Sequence, residues 1–204
     1  MKKILLGILG VTGLVSFSYA DTFQNFNNNI YAEYGLMTYL PSSQQNNGFG
    51  IGGTLQTNNN IYVATSLVQY NNLSGQMAAN TYNLKAGYAF QFFGNDDNGF
   101  QVIPYASFGY AATPQLQDNY AWGLGVQPEY RLLDALKLSL GLGLNGANGG
   151  SDNTTTLAFN VNPEVQYNIA KTIMLGAGYN YASQFNNTSQ LNYNTLYFRA
   201  GYLF

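Results

Sequence analysis

Leu136-Lys137-Leu138-Ser139-Leu140-Gly141-Leu142-Gly143-Leu144-Asn145 sets a leucine at every second position. A helix would scatter these leucines around its whole circumference, whereas a strand carries all of them on one face. Lys137, Ser139, Gly141, Gly143 and Asn145 take the other face. The segment just upstream behaves alike. Tyr120, Trp122, Leu124, Val126 and Tyr130 share a face, opposite Ala121, Gly123, Gly125, Gln127, Glu129 and Arg131. Period-2 alternation read outward from this pair gives ten strands, near 29–40, 49–57, 61–70, 81–93, 100–111, 119–131, 136–145, 154–168, 172–183 and 191–204.

Two kinds of connection alternate between these strands. Residues 41–48, 71–80, 112–118, 146–153 and 184–190 are longer and rich in Asn, Gln, Ser and Gly, while 58–60, 94–99, 132–135 and 169–171 are short. Such alternation is the pattern of a transmembrane up-and-down β-barrel, with short turns on the periplasmic side and longer loops outside. An even strand number puts both termini on the short-turn side. The second face decides between this barrel and a soluble sandwich. It is mostly Gly, Ala, Ser, Thr, Asn, Gln and Tyr, and a soluble sheet would need many charges there. Aromatic residues end the apolar faces, as membrane interfaces favour. Phe92, Phe100, Tyr130, Tyr167 and Tyr202 lie toward the short turns, and Phe49, Tyr82, Tyr110, Tyr120, Trp122 and Tyr181 toward the loops.

Composition agrees. Of 204 residues, 46% are hydrophobic and 8% charged, against about 25% charged in an average soluble domain. Seven Lys+Arg against nine Asp+Glu leave no basic patch for nucleic acid. Without Cys there is no disulfide, thiolate nucleophile or Cys-based metal site, and without His no imidazole base. Residues 1–20 read as a cleaved secretory signal peptide: Lys2 and Lys3 before the apolar stretch Ile4–Val15, then the small-x-small site Ser18-Tyr19-Ala20. Residues 21–204 form the barrel domain, with five basic residues against nine acidic ones.

The chain closes on Leu196-Tyr197-Phe198-Arg199-Ala200-Gly201-Tyr202-Leu203-Phe204. Leu196, Phe198, Ala200, Tyr202 and Phe204 share one face and end on an aromatic. This resembles the terminal strand of small Gram-negative outer-membrane β-barrel proteins of eight to ten strands. The resemblance covers the mature chain in pattern, while only the last strand and the signal peptide are specific motifs. It implies residence in the bacterial outer membrane with both termini periplasmic. It further implies contact with outer-membrane lipid and lipopolysaccharide, and an assembly signal in Phe198, Tyr202 and Phe204 read by the outer-membrane assembly machinery. Pro104, Pro128 and Pro163 fall inside strands, on the lipid-facing parity near the short-turn rim, where a local bulge would accommodate each. Shortening or merging those strands would give eight instead of ten.

Few motifs carry chemistry. Gly141-Leu142-Gly143-Leu144-Asn145-Gly146 matches a dinucleotide pattern in letters alone, because it lies in a strand where that fold needs a turn into a helix. Asp96 and Asp97 read as turn formers. Barrel enzymes that modify lipids generally need a His, so neither a catalytic residue, a metal nor a cofactor is expected. The informative polar set is the charges that parity turns into the lumen: Glu33, Lys85, Glu129, Arg131, Lys137, Glu164 and Arg199. Buried charges persist when paired, so they form either a salt-bridged plug or the constriction of a narrow pore. Gly50, Gly52, Gly87, Ala89, Gly109, Gly123, Gly125, Gly143, Gly176 and Gly178 are expected to widen that lumen. The functional expectation is a non-enzymatic outer-membrane barrel with a narrow or gated path for ions or small solutes. The alternatives are a plugged structural or adhesin-like barrel and, more weakly, a lipid-modifying enzyme.

Overall fold

The computed structural model describes residues 23–40, 43, 45–72, 77–94, 98–112, 119–148, 155–185 and 192–204. The signal-peptide assignment, the Asp96-Asp97 turn and most of the long-loop residues lie outside the described residues. A single helical turn, α1 (Gln24–Asn27), leads into β1 (Asn29–Leu40), β2 (Gln45–Gln56), β3 (Ile61–Asn72), β4 (Met77–Tyr88) and β5 (Phe90–Gly94). β6 (Asn98–Ala112), β7 (Asn119–Leu132), β8 (Leu136–Asn148), β9 (Thr155–Ile169), β10 (Ile173–Gln184) and β11 (Asn192–Leu203) complete the chain.

All neighbours are antiparallel and the sheet closes on itself. β1 pairs with β2 on one side and β11 on the other, and β4 pairs with both β3 and β6. β4 and the short β5 share one position in the wall, each pairing with β6. The result is a ten-stranded barrel with one extra short strand, and closure pairs each of the ten wall positions on both sides, while β5 pairs with β6 alone. At the seam, pairing runs from Asn29↔Leu203 to Leu40↔Asn192, so the first and last strands begin and end at the same rim.

The leucines that decided the strand reading face outward, with Leu124 and Leu144 more than half exposed at 65% and 57%. Phe49, Phe92, Tyr120, Trp122, Tyr167 and Tyr202 are likewise exposed on the outer wall. A surface this apolar is incompatible with water over so wide an area and suits lipid. The aromatics gather at its two ends. Phe93 stacks on Phe100 at 6.1 Å and meets Tyr130 at 6.4 Å near the short turns. Tyr110 meets Tyr120 at 5.2 Å, and Tyr34 meets Phe49 at 4.8 Å, toward the loops. Among the described residues no helix is long and apolar enough to cross a membrane. The glycine motif at 141–146 lies within β8, with no helix after it.

Two expectations need correcting. β2 begins at Gln45 and not near residue 49, because Asn46 and Asn47 pair with Asn72 and Asn71 of β3; alternation does not register polar residues that continue a ladder. The prolines also do not make bulges of their own. Register runs unbroken through Pro104 and Pro128 between β6 and β7, and through Pro163 between β8 and β9. Each proline points its missing N–H at one neighbour only, and that side of the ladder is where pairing lapses. Gln127 and Pro128 lack partners on β8, and Asn162 and Pro163 lack partners on β10. Opposite Pro104, the partner strand breaks between β4 and β5, and the Ala89 N–H turns to the Asn60 carbonyl at 2.8 Å. Register shifts occur elsewhere, between Gln91 and Phe93 and between Tyr70 and Asn71.

Candidate functional site: a filled lumen

Inward positions near the short turns are amides and charges, and the residues just before β1 fold back among them. Phe26 N–H and Asn27 N–H donate to the Phe23 carbonyl at 3.0 and 2.9 Å, closing the turn of α1. Phe23, Phe26 and Asn27 are fully buried, and Gln24 nearly so. Burying each phenylalanine stabilises the arrangement by about 2–3 kcal/mol. Their buried positions put this segment inside the barrel as a plug.

The wall grips the plug through amides. Gln166 Nε2 and Asn29 Nδ2 donate to the Phe26 carbonyl at 3.0 and 2.8 Å. Asn168 Nδ2 donates to the Asn25 carbonyl at 3.3 Å, and the Gln56 N–H to Asn28 Oδ1 at 2.7 Å. Asn27 is the centre of the network. Its Nδ2 donates to Gln56 Oε1 at 2.8 Å and Glu129 Oε2 at 2.9 Å, while Lys137 Nζ donates to its Oδ1 at 2.6 Å. Gln56 on β2 and Gln101 on β6 exchange bonds of 3.2 and 3.1 Å. β3 and β4 separate those two strands in the wall, so this pair runs across the lumen as a chord.

Glu129 anchors this first charged centre without any exposure. Gln101 Nε2 donates to its Oε2 at 2.6 Å and Gln127 Nε2 to its Oε1 at 2.8 Å, with Lys137 Nζ at 3.4 Å. Its lone pairs are met mainly by neutral amides, which removes the usual penalty of an unpaired buried carboxylate.

A second centre sits at the closure seam. Arg199 faces Glu33 directly in the β1–β11 register, and its Nε reaches Glu33 Oε2 at 2.7 Å. Its Nη1 reaches Glu164 Oε2 at 2.5 Å although β10 lies between them. Gly176, the inward residue of β10 opposite Arg199, lies beneath the arginine stem, and Gly178, opposite Glu164, lies beneath the Tyr197 ring. The guanidinium lies 4.5 Å from the Tyr31 ring centroid and 4.4 Å from that of Tyr197. The Tyr197 hydroxyl donates to Glu164 Oε2 at 2.7 Å, and Asn162 Nδ2 donates to that hydroxyl at 3.1 Å.

The seven charges therefore divide. Glu129 with Lys137 and Glu33 with Glu164 and Arg199 form separate centres. Arg131 bonds Asp134 at 3.2 Å on an exposed turn, which parity could not reveal because Asp134 is outside any strand. Lys85 lies over the Tyr105 ring at 4.9 Å, and among the described residues it forms no ion pair. Lys85, Arg199, Glu164, Asn83, Gln127 and Tyr62 border a cavity of about 80 Å³, room for a few waters.

Most of the lumen glycines do not widen this space. In directly paired positions Gly52 lies under Tyr31, Gly48 under Tyr70, Gly125 under Tyr105 and Gly178 under Tyr197, and a Cβ at each would collide with the ring. These four glycines are seats for tyrosines of the adjacent strand, while Gly123 and Gly143 lie under Asn145 and Asn160, and Gly50 and Gly87 lie against neighbouring backbone. The plug and these seats are what alternation alone missed. Phe23 and Phe26, one helical turn apart immediately before the first strand, were the available signal for the plug.

No protein-family model and no curated protein matches the sequence. Solved structures do. The β domain of the Bordetella autotransporter BrkA is similar with a TM-score of 0.56 and 12% identity, covering 87% of this chain and 100% of that one. The transport unit of the autotransporter AIDA-I from Escherichia coli has a TM-score of 0.55 and 10% identity, covering 98% and 97%. The fold is that of an outer-membrane β-barrel. A KdgM porin in complex with disordered oligogalacturonate matches more loosely, with a TM-score of 0.44 and 12% identity over 85% and 99% of the two chains. On the barrel, Phe198 and Tyr202 face outward on β11, and Phe204, just past its end, is exposed as well.

Proposed function

We propose that this chain is a non-enzymatic integral protein of the bacterial outer membrane whose barrel stands closed, serving as a structural or surface-interaction barrel rather than an open pore. The observation that carries this reading is the plug: Phe23, Phe26 and Asn27 fill the short-turn half of the lumen, and a Gln56–Gln101 chord crosses behind them. The Arg199 centre narrows the lumen again farther along. The outer apolar wall, with aromatics at both ends, supports a lipid setting. Both termini then face the periplasm, and Phe198, Tyr202 and Phe204 present the outward face offered to the assembly machinery. A sequence without His lacks the base on which barrel hydrolases generally rely.

The test is conductance of the full chain in planar bilayers, with heat-modifiable gel migration confirming the folded barrel. Currents at the lipid background are expected. Steady single-channel steps from folded protein would overturn the closed reading and restore the narrow pore.

A further inference from the structure

We propose that the short-turn mouth of the barrel is a peptide-binding site, occupied here by the chain's own Phe23–Asn27 and able to take the same sequence supplied in trans. The inference rests on the closed reading above, since it concerns the segment that does the closing.

Three observations carry it. The wall is complete without Phe23–Asn27: the ladders joining β1 to β2 and to β11 begin at Asn29, and Asn28, whose carbonyl accepts from the Phe204 N–H at 3.0 Å, stays with the seam. The grip has the form of a ligand site, with side chains from five strands converging on main-chain and side-chain groups of three consecutive residues, Asn25–Asn27. Asn29, Gln56, Glu129, Lys137, Gln166 and Asn168 each bond the segment directly. Those groups are also polar enough to be hydrated when the segment leaves, so an empty mouth is filled by water and need not collapse. Recognition is correspondingly specific. The ligand is a short peptide with aromatic residues three apart and an asparagine after the second, the asparagine meeting a carboxylate, an amide and an ammonium at once. Tethering supplies the cis segment at an effective concentration on the order of millimolar. An added peptide therefore finds the site free only when the cis copy is weakened or removed.

The experiment uses a fluorescently labelled peptide Phe-Gln-Asn-Phe-Asn and the barrel lacking Phe23–Asn27, refolded in detergent and checked by heat-modifiable migration. Anisotropy should show saturable binding to the shortened barrel and none to the full chain at the same concentration. A peptide carrying Phe26→Ala should bind at least about tenfold more weakly, in keeping with the loss of a buried aromatic. If the deletion prevents folding, the full-length double variant Phe26→Ala/Asn27→Ala takes its place and should bind the wild-type peptide. A folded barrel of either kind that ignores the peptide up to millimolar concentration overturns the site. So does equal binding by the unmodified chain, or loss of the fold in both variants. Conductance of the full chain fails or holds independently: a conducting full chain ends the closed reading, whereas a closed chain with a peptide-blind shortened barrel ends only this one.

Discussion

The two charged centres of the lumen solve the same problem in different ways. Around Arg199 the solution belongs entirely to the wall: two carboxylates from β1 and β9, two tyrosine faces, and Gly176 on β10 beneath the arginine stem. Around Glu129 the wall supplies Gln101, Gln127 and Lys137, and the plug completes the set through Asn27. One centre braces the barrel seam and the other holds a segment in place. Equal formal charge thus says little about role. What distinguishes them is whether the partners lie on strands or on the segment inside.

The sharpest break is Arg199→Ala. It leaves Glu33 and Glu164 without their cation, and removing one member of a buried ion cluster costs about 3–5 kcal/mol. The variant should unfold at markedly lower urea in detergent while its plug stays seated. An unchanged midpoint would mean that water already satisfies those carboxylates. Glu129→Ala comes next, at about 1–3 kcal/mol, because most donors it abandons are neutral amides and Lys137 keeps Asn27. Its signature is a loosened plug, read as intermittent current in bilayers, and a quiet bilayer would separate Glu129 from closure.

Asn27→Ala removes only the plug's share, about 1–2 kcal/mol. It should bring current without altering the Arg199 centre, so Arg199→Ala and Asn27→Ala should add in the double variant. Strong coupling between them would show that the two centres act as one. The smallest effect is expected for Lys85→Gln, which removes a ring contact of about 0.5 kcal/mol. A loss as large as that for Glu129→Ala would place Lys85 inside one of the centres.

Much of this molecule could be read from the chain alone. The alternation in 120–131 and 136–145 determined which atoms face lipid, and its recurrence determined ten wall positions, because a strand's two faces are set by local geometry alone. Parity sufficed to turn Glu33 and Arg199 the same way. It could not pair Arg199 with Glu164 across β10, seat Tyr197 on Gly178, or send Arg131 to Asp134. Those contacts depend on register between strands distant in sequence and on which intervening side chain is absent. Nor could it place Phe23 and Phe26: one helical turn has no periodicity to detect, and its position is decided by a cavity that exists only once the barrel has closed.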